Sequence, residues 1–234
     1  MSLDIAKHKN ILIKILKSIF TDSTIGPLLG LKGGTAALLF YDLDRFSVDI
    51  DFDLIDATKE DHVFNRVKTI LESYGVLKEA EKKRFNLFYL LSYNDKNINA
   101  QNVKVEINRR NSGSKYDVKS YLGISMKVMT REDMLAQKLV AMFERIGKTN
   151  RDIFDVYFFL AHDWPINRQI VENRTEMSYK EFLKKCIEAL EKIDDKDILA
   201  GMGELLTEKQ KAWAKAKLKT ETLFLLRLAL ENEK

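Results

Sequence analysis

The 234-residue chain has few of the features that mark secreted, fibrous or membrane proteins. Its single cysteine, Cys186, cannot close an internal disulfide, and the chain contains only 2 prolines and 10 glycines. Its longest apolar runs, 156–161 and 223–226, are far shorter than the roughly 20 residues that span a bilayer. This composition excludes a collagenous or disordered chain, and it favours a globular protein of a reducing compartment. We therefore expect a cytoplasmic protein with no membrane partner.

The chain also has little net charge, but its charged residues are unevenly distributed. Lys and Arg number 39 and Asp and Glu 35, so the formal net charge is only +4. Residues 42–61 nevertheless contain eight acidic and two basic residues, a local net charge of −6. A basic chain with one acidic focus suits carboxylates that hold divalent cations while the surroundings attract polyphosphate or nucleic acid. A solvated loop beside lysine-rich helices would carry the same charges, so charge alone leaves both interpretations open.

The segment 47–54 alternates strictly between apolar and acidic residues, which predicts a strand with one buried face. Asp49 and Asp51 would then project from the same side of that strand. Two like charges so close are costly unless a cation lies between them, and Mg²⁺ accepts carboxylate oxygens together with substrate phosphates. The alternating segment 102–108 supplies Glu106 as a third acid, and three acids on adjacent strands can hold two metal ions. An exposed strand face is the alternative interpretation of a single Asp-x-Asp.

A glycine turn precedes the acidic strand. Lys32-Gly33-Gly34-Thr35 lies between a predicted strand at 28–31 and a predicted helix at 35–41. Glycine lets the backbone approach a phosphate closely, a helix N-terminus offers unpaired N–H groups, and the threonine adds a hydroxyl donor. The order of Gly-Gly-Thr, Asp-x-Asp and a later Lys-x-Glu strand therefore indicates a site for a metal-bound triphosphate.

The remaining pattern predicts an α+β protein, with a mixed sheet and flanking helices followed by a helical C-terminal region. The other expected elements are helices 4–20 and 59–74, strands 85–93 and 102–108, and helices 130–145, 151–162, 179–192 and 205–231. Thr130 is expected to cap its helix, with Asp133 completing a capping box. We place an α/β catalytic domain at 1–125 and a helical domain at 126–234.

These motifs resemble those of the nucleotidyltransferase superfamily, and more closely those of the AbiEii/AbiGii-type family, the toxins of type IV toxin–antitoxin systems. Three stretches carry the resemblance: KGGTAALLFYDLDRFSVDIDFDL at 32–54, NVKVEINRR at 102–110 and REDMLAQKLVAMFERIGKTNRDIFDVYFFL at 131–160. The Arg-x-Ser-x-Asp-x-Asp and Arg-Asp-x-x-Asp signatures are fairly specific to this group. The resemblance implies a nucleotidyltransferase-like fold.

The resemblance also implies a site and a reaction. It assigns metal binding and catalysis to Asp49, Asp51 and Glu106, and a further catalytic role to Asp152. The nucleotide-binding residues that it implies are Lys32, Gly33, Gly34, Thr35, Ser47 and Lys138. The implied reaction transfers a nucleoside monophosphate from an NTP to an acceptor hydroxyl with Mg²⁺ or Mn²⁺. The implied acceptor is RNA, such as a tRNA 3′ end, and the implied partner is an antitoxin encoded beside the gene.

Several alternatives stay open at this level. Lys138 also fits a surface lysine on an amphipathic helix, and Arg151 with Asp155, spaced i and i+4, also fits a structural ion pair. A small-molecule acceptor, as in antibiotic-modifying nucleotidyltransferases, is one alternative to RNA. A non-catalytic module that binds a nucleotide or a partner protein is another.

Two basic segments and the histidines carry weaker signals. Residues 82–89 combine cationic and aromatic side chains and could contact RNA, although their alternation is also typical of a core strand. The lysines of 209–219 surround Trp213 and fit a solvated helix face equally well. The three histidines lack the spacing of metal ligands and are interpreted as surface or packing residues: His8, His62 and His162.

Overall fold

The computed structural model of the chain describes residues 4–93 and 101–233. The chain divides into two compact units, Met1–Met129 and Thr130–Lys234. The expected boundary between residues 125 and 126 falls within the last strand of the first unit, Ile124–Met129. The α+β class is confirmed, since the first unit contains a mixed seven-stranded sheet with flanking helices and the described part of the second unit is helical.

The first unit mixes helices and strands. Its helices are α1 (Ile5–Thr21), α2 (Gly33–Phe40) and α3 (Glu60–Glu72). Its strands are β1 (Leu29–Lys32), β2 (Ile50–Leu54), β3 (Val76–Lys82), β4 (Asn86–Ser92), β5 (Asn102–Asn108), β6 (Tyr116–Tyr121) and β7 (Ile124–Met129). The sequence prediction missed β3, β6 and β7. The first two are the sheet edges and have no fully buried face, so they lack a clear hydrophobic alternation.

The strand order is β3-β4-β5-β2-β1-β7-β6, with β2 antiparallel to β1 and parallel to β5. Ile50 and Phe52 on β2 are completely buried, and the Phe52 ring lies 5.9 Å from that of Phe20 on α1. Burial of each such side chain stabilises the fold by about 1.5–3 kcal/mol. Because side chains alternate along a strand, this packing directs Asp51 and Asp53 to the opposite face of the sheet.

The second unit consists of α4 (Arg131–Arg145), α5 (Arg151–Ala161), α6 (Arg168–Thr175), α7 (Tyr179–Glu191), α8 (Glu208–Trp213) and α9 (Lys219–Glu231), with a π-helical segment at Ala214–Leu218. The sequence prediction missed α6, which is short and mostly polar. No helix within residues 4–93 and 101–233 has the length and apolar character needed to cross a bilayer.

The predicted capping box at the start of α4 is wrong. Thr130 occupies the N-cap position, but its side chain makes no capping hydrogen bond. Its hydroxyl oxygen is buried and has no hydrogen-bond partner in the described part of the chain. Asp133 is also buried, and it accepts a hydrogen bond of 2.6 Å from Asn167 Nδ2. The Asp133 carboxylate, which the sequence pattern assigns to a capping box, is therefore used in a tertiary contact with Asn167.

Candidate active site

The glycine turn brings the start of α2 directly against the acidic strand. Gly33 has a φ of +74°, and a Cβ there would lie 3.0 Å from Asp51 Cβ and collide with its carboxylate. At Gly34 a Cβ would lie 2.8 Å from Ser47 Oγ and 3.1 Å from Arg45 Nη2. The N-cap residue, Lys32, makes no side-chain capping hydrogen bond to the first N–H groups of α2. Backbone donors suited to an anion therefore lie beside the carboxylate of Asp51.

Thr35 and Ser47 fix the chain segment that leads into β2. Thr35 is buried, and its hydroxyl donates to the backbone carbonyl of Asp49 and lies 3.0 Å from Ser47 Oγ. Ser47 is buried as well. The single hydroxyl proton of Thr35 is thus used inside the protein. The structure gives both residues a role in positioning Asp49, beside the nucleotide contact that the resemblance implies.

The three predicted metal ligands are directed to one region of the sheet. Asp51 on β2 lies opposite Glu106 on the parallel strand β5, and neighbouring strands are about 4.8 Å apart. Asp49 immediately precedes β2, which begins at Ile50, so the strand is shorter than predicted. Lys104 Nζ lies 3.4 Å from Asp49 Oδ2 and 3.9 Å from Glu106 Oε1. An ammonium group therefore balances two of the three carboxylates.

These carboxylates do not form a ready-made metal cage. Among residues 4–93 and 101–233, no three or more His, Cys, Asp or Glu side chains are grouped so that they could hold a metal ion. The donor set itself fits Mg²⁺, which prefers carboxylate oxygens and completes its shell with water and phosphate. Asp49, Asp51 and Glu106 share the region, and a cationic side chain already neutralises part of it.

Sequence reasoning missed the role of Asp53, which is only 5% exposed. Its carboxylate accepts three hydrogen bonds, from Lys32 Nζ at 2.5 Å, Asn108 Nδ2 at 2.7 Å and Tyr116 Oη at 2.5 Å. Gly30 makes room for this arrangement, because a Cβ there would collide with the Tyr116 ring. Lys32, expected to bind nucleotide, is thus paired with Asp53 in this structure. The i, i+2 spacing of Asp51 and Asp53 could have predicted that both side chains lie on the same face of the sheet.

A buried histidine supports the segment that carries Asp49. His8 on α1 is 1% exposed, with Nε2 2.9 Å from the carbonyl oxygen of Val48 and Nδ1 2.7 Å from Tyr93 Oη. Burial lowers the pKa of His8 below its ordinary value of 6.5. The packing interpretation of this residue is confirmed, and its bond to Val48 holds the residue next to Asp49.

In the second unit, Lys138 on α4 lies between two buried carboxylates of α5. Its Nζ is 2.7 Å from Asp152 Oδ1 and 2.7 Å from Asp155 Oδ2, and both aspartate side chains are completely buried. Arg145 Nη1 approaches Asp152 Oδ2 at 3.3 Å. Lys138 is only 13% exposed, so the alternative of a surface lysine is wrong. The two aspartates of the Arg-Asp-x-x-Asp signature thus belong to one ionic cluster around Lys138.

Comparison with known proteins shows the family to which the chain is related. Residues 14–224 match the model of a family described as nucleotidyl transferase AbiEii toxin, type IV toxin–antitoxin system. None of the curated proteins is significantly similar to the chain. Among solved structures, a protein of H. pylori described as a candidate nucleotidyltransferase is 22% identical, with a TM-score of 0.65 over 100% of this chain and 99% of that chain.

Two further structures are similar. JHP933 of Helicobacter pylori is 21% identical, with a TM-score of 0.60 over 100% of this chain and 96% of that chain. The nucleotidyltransferase toxin MenT4 of Mycobacterium tuberculosis is 15% identical, with a TM-score of 0.56 over 94% of this chain and 88% of that chain. At these identities the structural likeness concerns the fold, whereas the family match rests on the sequence.

Proposed function

The chain belongs to the AbiEii nucleotidyl transferase toxin family of type IV toxin–antitoxin systems, and from this premise we propose a specific reaction for it. The protein transfers a nucleoside monophosphate from an NTP to a hydroxyl of RNA, such as a tRNA 3′ end, with Mg²⁺ or Mn²⁺ as cofactor. The acceptor oxygen bonds to the α-phosphorus, the bond from that phosphorus to the β-phosphate oxygen breaks, and pyrophosphate leaves. The acceptor hydroxyl loses its proton in the same process.

The approach of Gly33 to Asp51 is the observation that carries this proposal. It brings the N–H groups at the start of α2 beside a carboxylate that lies opposite Glu106. Backbone N–H groups at Gly33 and Gly34 would bind the triphosphate, because a helix N-terminus favours negative charge. A metal-bound triphosphate requires N–H donors for its phosphates and carboxylates for its metal ion, and here the two are neighbours.

Asp49, Asp51 and Glu106 are the residues that would hold the metal. The ammonium group of Lys104 beside Asp49 and Glu106 supports a preference of this region for positive charge. A bound divalent ion supplies charge neutralisation for the phosphates and makes a hydroxyl easier to deprotonate. Thr35 and Ser47 position Asp49, and Lys32, which pairs with Asp53 in this structure, would contact the nucleotide.

In the second unit, Lys138 would be a ligand of a nucleotide phosphate and Asp152 a positioning residue. Asp152 is completely buried and contacts both Lys138 and Arg145. Its Oδ1 contacts Lys138 and its Oδ2 contacts Arg145, so both carboxylate oxygens hold other side chains in place. This arrangement supports an ordering role for Asp152 over proton transfer.

A labelling experiment tests the proposed reaction. The purified protein is incubated with each α-labelled NTP, Mg²⁺ and total bacterial RNA, and in parallel with a pool of small metabolites and antibiotics. We expect label in an RNA band with the wild type and none with Asp49→Ala/Asp51→Ala. A matched control, Asp117→Ala/Glu188→Ala, removes two exposed carboxylates elsewhere and should label RNA normally.

Other outcomes point to the alternatives. Label in small molecules alone would establish a small-molecule acceptor, and no label with folded protein would favour a binding module. Because type IV toxins act against an antitoxin, we also propose that expression of the wild type slows growth and that an adjacently encoded antitoxin restores it. The Asp49→Ala/Asp51→Ala variant should leave growth unchanged.

A further inference from the structure

Cationic and aromatic side chains gather where β3 turns into β4. Phe85 in this turn is 45% exposed, and two guanidinium groups lie against its ring, Arg84 Cζ at 4.8 Å and Arg110 Cζ at 4.9 Å from the centroid. Lys83 Nζ lies 3.4 Å from the centroid of the Phe88 ring. We call these five residues the hairpin cluster. They come from two sequence segments that β-pairing brings together.

The hairpin cluster is attached to the strand that carries Glu106. Phe88 on β4 lies directly opposite Glu106 on β5 in the antiparallel register. The carbonyl of Phe85 also accepts a hydrogen bond of 2.9 Å from the backbone N–H of Arg109, so the turn is tied to the end of β5. Phe88 is therefore one strand away from the proposed catalytic carboxylate, about 5 Å across the sheet, and Phe85 follows at the end of the same strand pair.

The charges of the hairpin cluster differ from those of the neighbouring basic residues. Lys82 forms ion pairs with Asp61 and Glu60, and Arg109 lies 2.6 Å from Glu60. By contrast, the three cations of the hairpin cluster make no ion pair with any carboxylate in the described part of the chain: Lys83, Arg84 and Arg110. All three are exposed. Their positive charge is thus available to an external anion.

We propose that the hairpin cluster binds the single-stranded RNA acceptor next to its reacting end. This inference rests on the proposed function, and it names the surface that recognises the substrate. An exposed aromatic ring offers a stacking surface to any base, and guanidinium and ammonium groups that pair with no described carboxylate bind successive phosphates. An acidic peptide would use the cations alone and has no need of a flat, exposed ring between them.

The test measures RNA binding without NTP and with EDTA, so that no transfer can occur. The probe is a short 5′-fluorescein oligouridine, and fluorescence anisotropy gives Kd over a series of salt concentrations. We expect Phe85→Ala to weaken binding by about tenfold, the loss of one stacked base. Arg84→Ala/Arg110→Ala should lower the slope of log Kd against log salt by about 1.4, or about 0.7 for each lost phosphate contact on a single strand.

Two further variants separate charge from shape. Arg84→Lys/Arg110→Lys should keep the salt slope of the wild type, because the charges remain. Lys17→Ala/Lys78→Ala removes two exposed cations of the same unit that lie over no described aromatic ring, and it should bind RNA like the wild type. Melting temperatures check that each variant is folded, which we expect because the substituted side chains are exposed.

The outcomes are distinct from those of the labelling experiment. Unchanged affinity in Phe85→Ala, an equal loss in Lys17→Ala/Lys78→Ala, or a wild type that does not bind the probe would overturn the proposal. RNA labelling with normal binding by the cluster variants would keep the proposed reaction and reject the hairpin cluster. Binding through the cluster with no labelling of RNA would do the reverse.

Discussion

Lys104 Nζ lies 3.4 Å from Asp49 Oδ2, in a region where we propose that a divalent cation binds. The β2–β5 register explains the contact, because Ile50 lies opposite Val105 and the residues before them are neighbours. The same ammonium group is 3.9 Å from Glu106 Oε1. The protein thus supplies its own counter-ion to two of the acids, and a metal ion has to compete with it.

The first prediction concerns this competition. Lys104→Met keeps the length of the side chain and removes the charge, so Mn²⁺ should bind more tightly. Both partners are partly exposed to solvent, so we expect a gain of about 1 kcal/mol, or about fivefold in Kd. Isothermal titration with Mn²⁺ measures it, with Lys78→Met as a control at an exposed position. Equal affinity in the wild type and Lys104→Met would show that the ammonium group and the metal do not compete.

The alternation of 47–54 was sufficient to place the acids on one face, because the period of a strand fixes which side chains share a side. It could not show that Asp51 lies opposite Glu106, since that pairing depends on register between segments far apart in the sequence. It also could not show that Asp53 is buried under Lys32. The room for Tyr116 above Gly30, which completes that arrangement, depends on strand order as well.

Local patterns failed where tertiary contacts compete with them. The Thr-x-x-Asp sequence at 130–133 matches a capping box, but Asp133 binds Asn167 from a later segment. The edge strands β3 and β6 have no buried face and therefore no readable period. Residue spacing indicated only that charged side chains could pair near Lys138. Their burial depends on the packing of α5 against α4, which the sequence does not show.

The second prediction concerns pH and His8. Burial lowers the pKa of this residue in the folded state, so above pH 6.5 the ring is neutral in both states and its ionisation has no effect on stability. Below pH 6.5 the unfolded chain takes up the proton first. The free energy of unfolding should therefore fall as the pH decreases from 6.5, and this component should be absent in His8→Gln.

Urea denaturation at pH 7.5 and at successively lower pH values measures this difference. His62→Gln is the matched control, because His62 is an exposed histidine of the same unit. It should show the pH dependence of the wild type. A His8→Gln variant with the same decline of stability as the wild type would contradict the assignment.

The third prediction separates positioning from ligand contact at Thr35. Thr35→Val keeps the volume and removes the hydroxyl, so the hydrogen bond from Thr35 to the part-buried carbonyl of Asp49 is lost. We expect a loss of about 1–3 kcal/mol in the free energy of unfolding, together with weaker Mn²⁺ binding. Thr35→Ser retains the hydroxyl and should restore both. If Thr35→Val weakens NTP binding alone, with normal stability and Mn²⁺ affinity, the hydroxyl contacts the nucleotide instead.

The last prediction uses two glycines with nearly the same φ angle. Gly33 has a φ of +74° and Gly123 a φ of +77°, so alanine costs each position about 1–2 kcal/mol of backbone strain. A Cβ at Gly123 meets nothing within 4 Å, whereas one at Gly33 collides with the Asp51 carboxylate. The difference between the effects of Gly33→Ala and Gly123→Ala therefore measures the importance of the close approach between Gly33 and Asp51.

We expect Gly33→Ala to abolish NTP binding and RNA labelling, because the backbone donors and the carboxylate can no longer approach each other. Gly123→Ala should lose only the stability that the backbone strain costs, less than Gly33→Ala loses, and should bind NTP normally. Titration with a fluorescent NTP analogue and thermal melting of both variants measure the two effects separately. If both variants bind NTP equally well, the close approach of Gly33 and Asp51 is not needed for the nucleotide, and the phosphate site has to lie elsewhere on the chain.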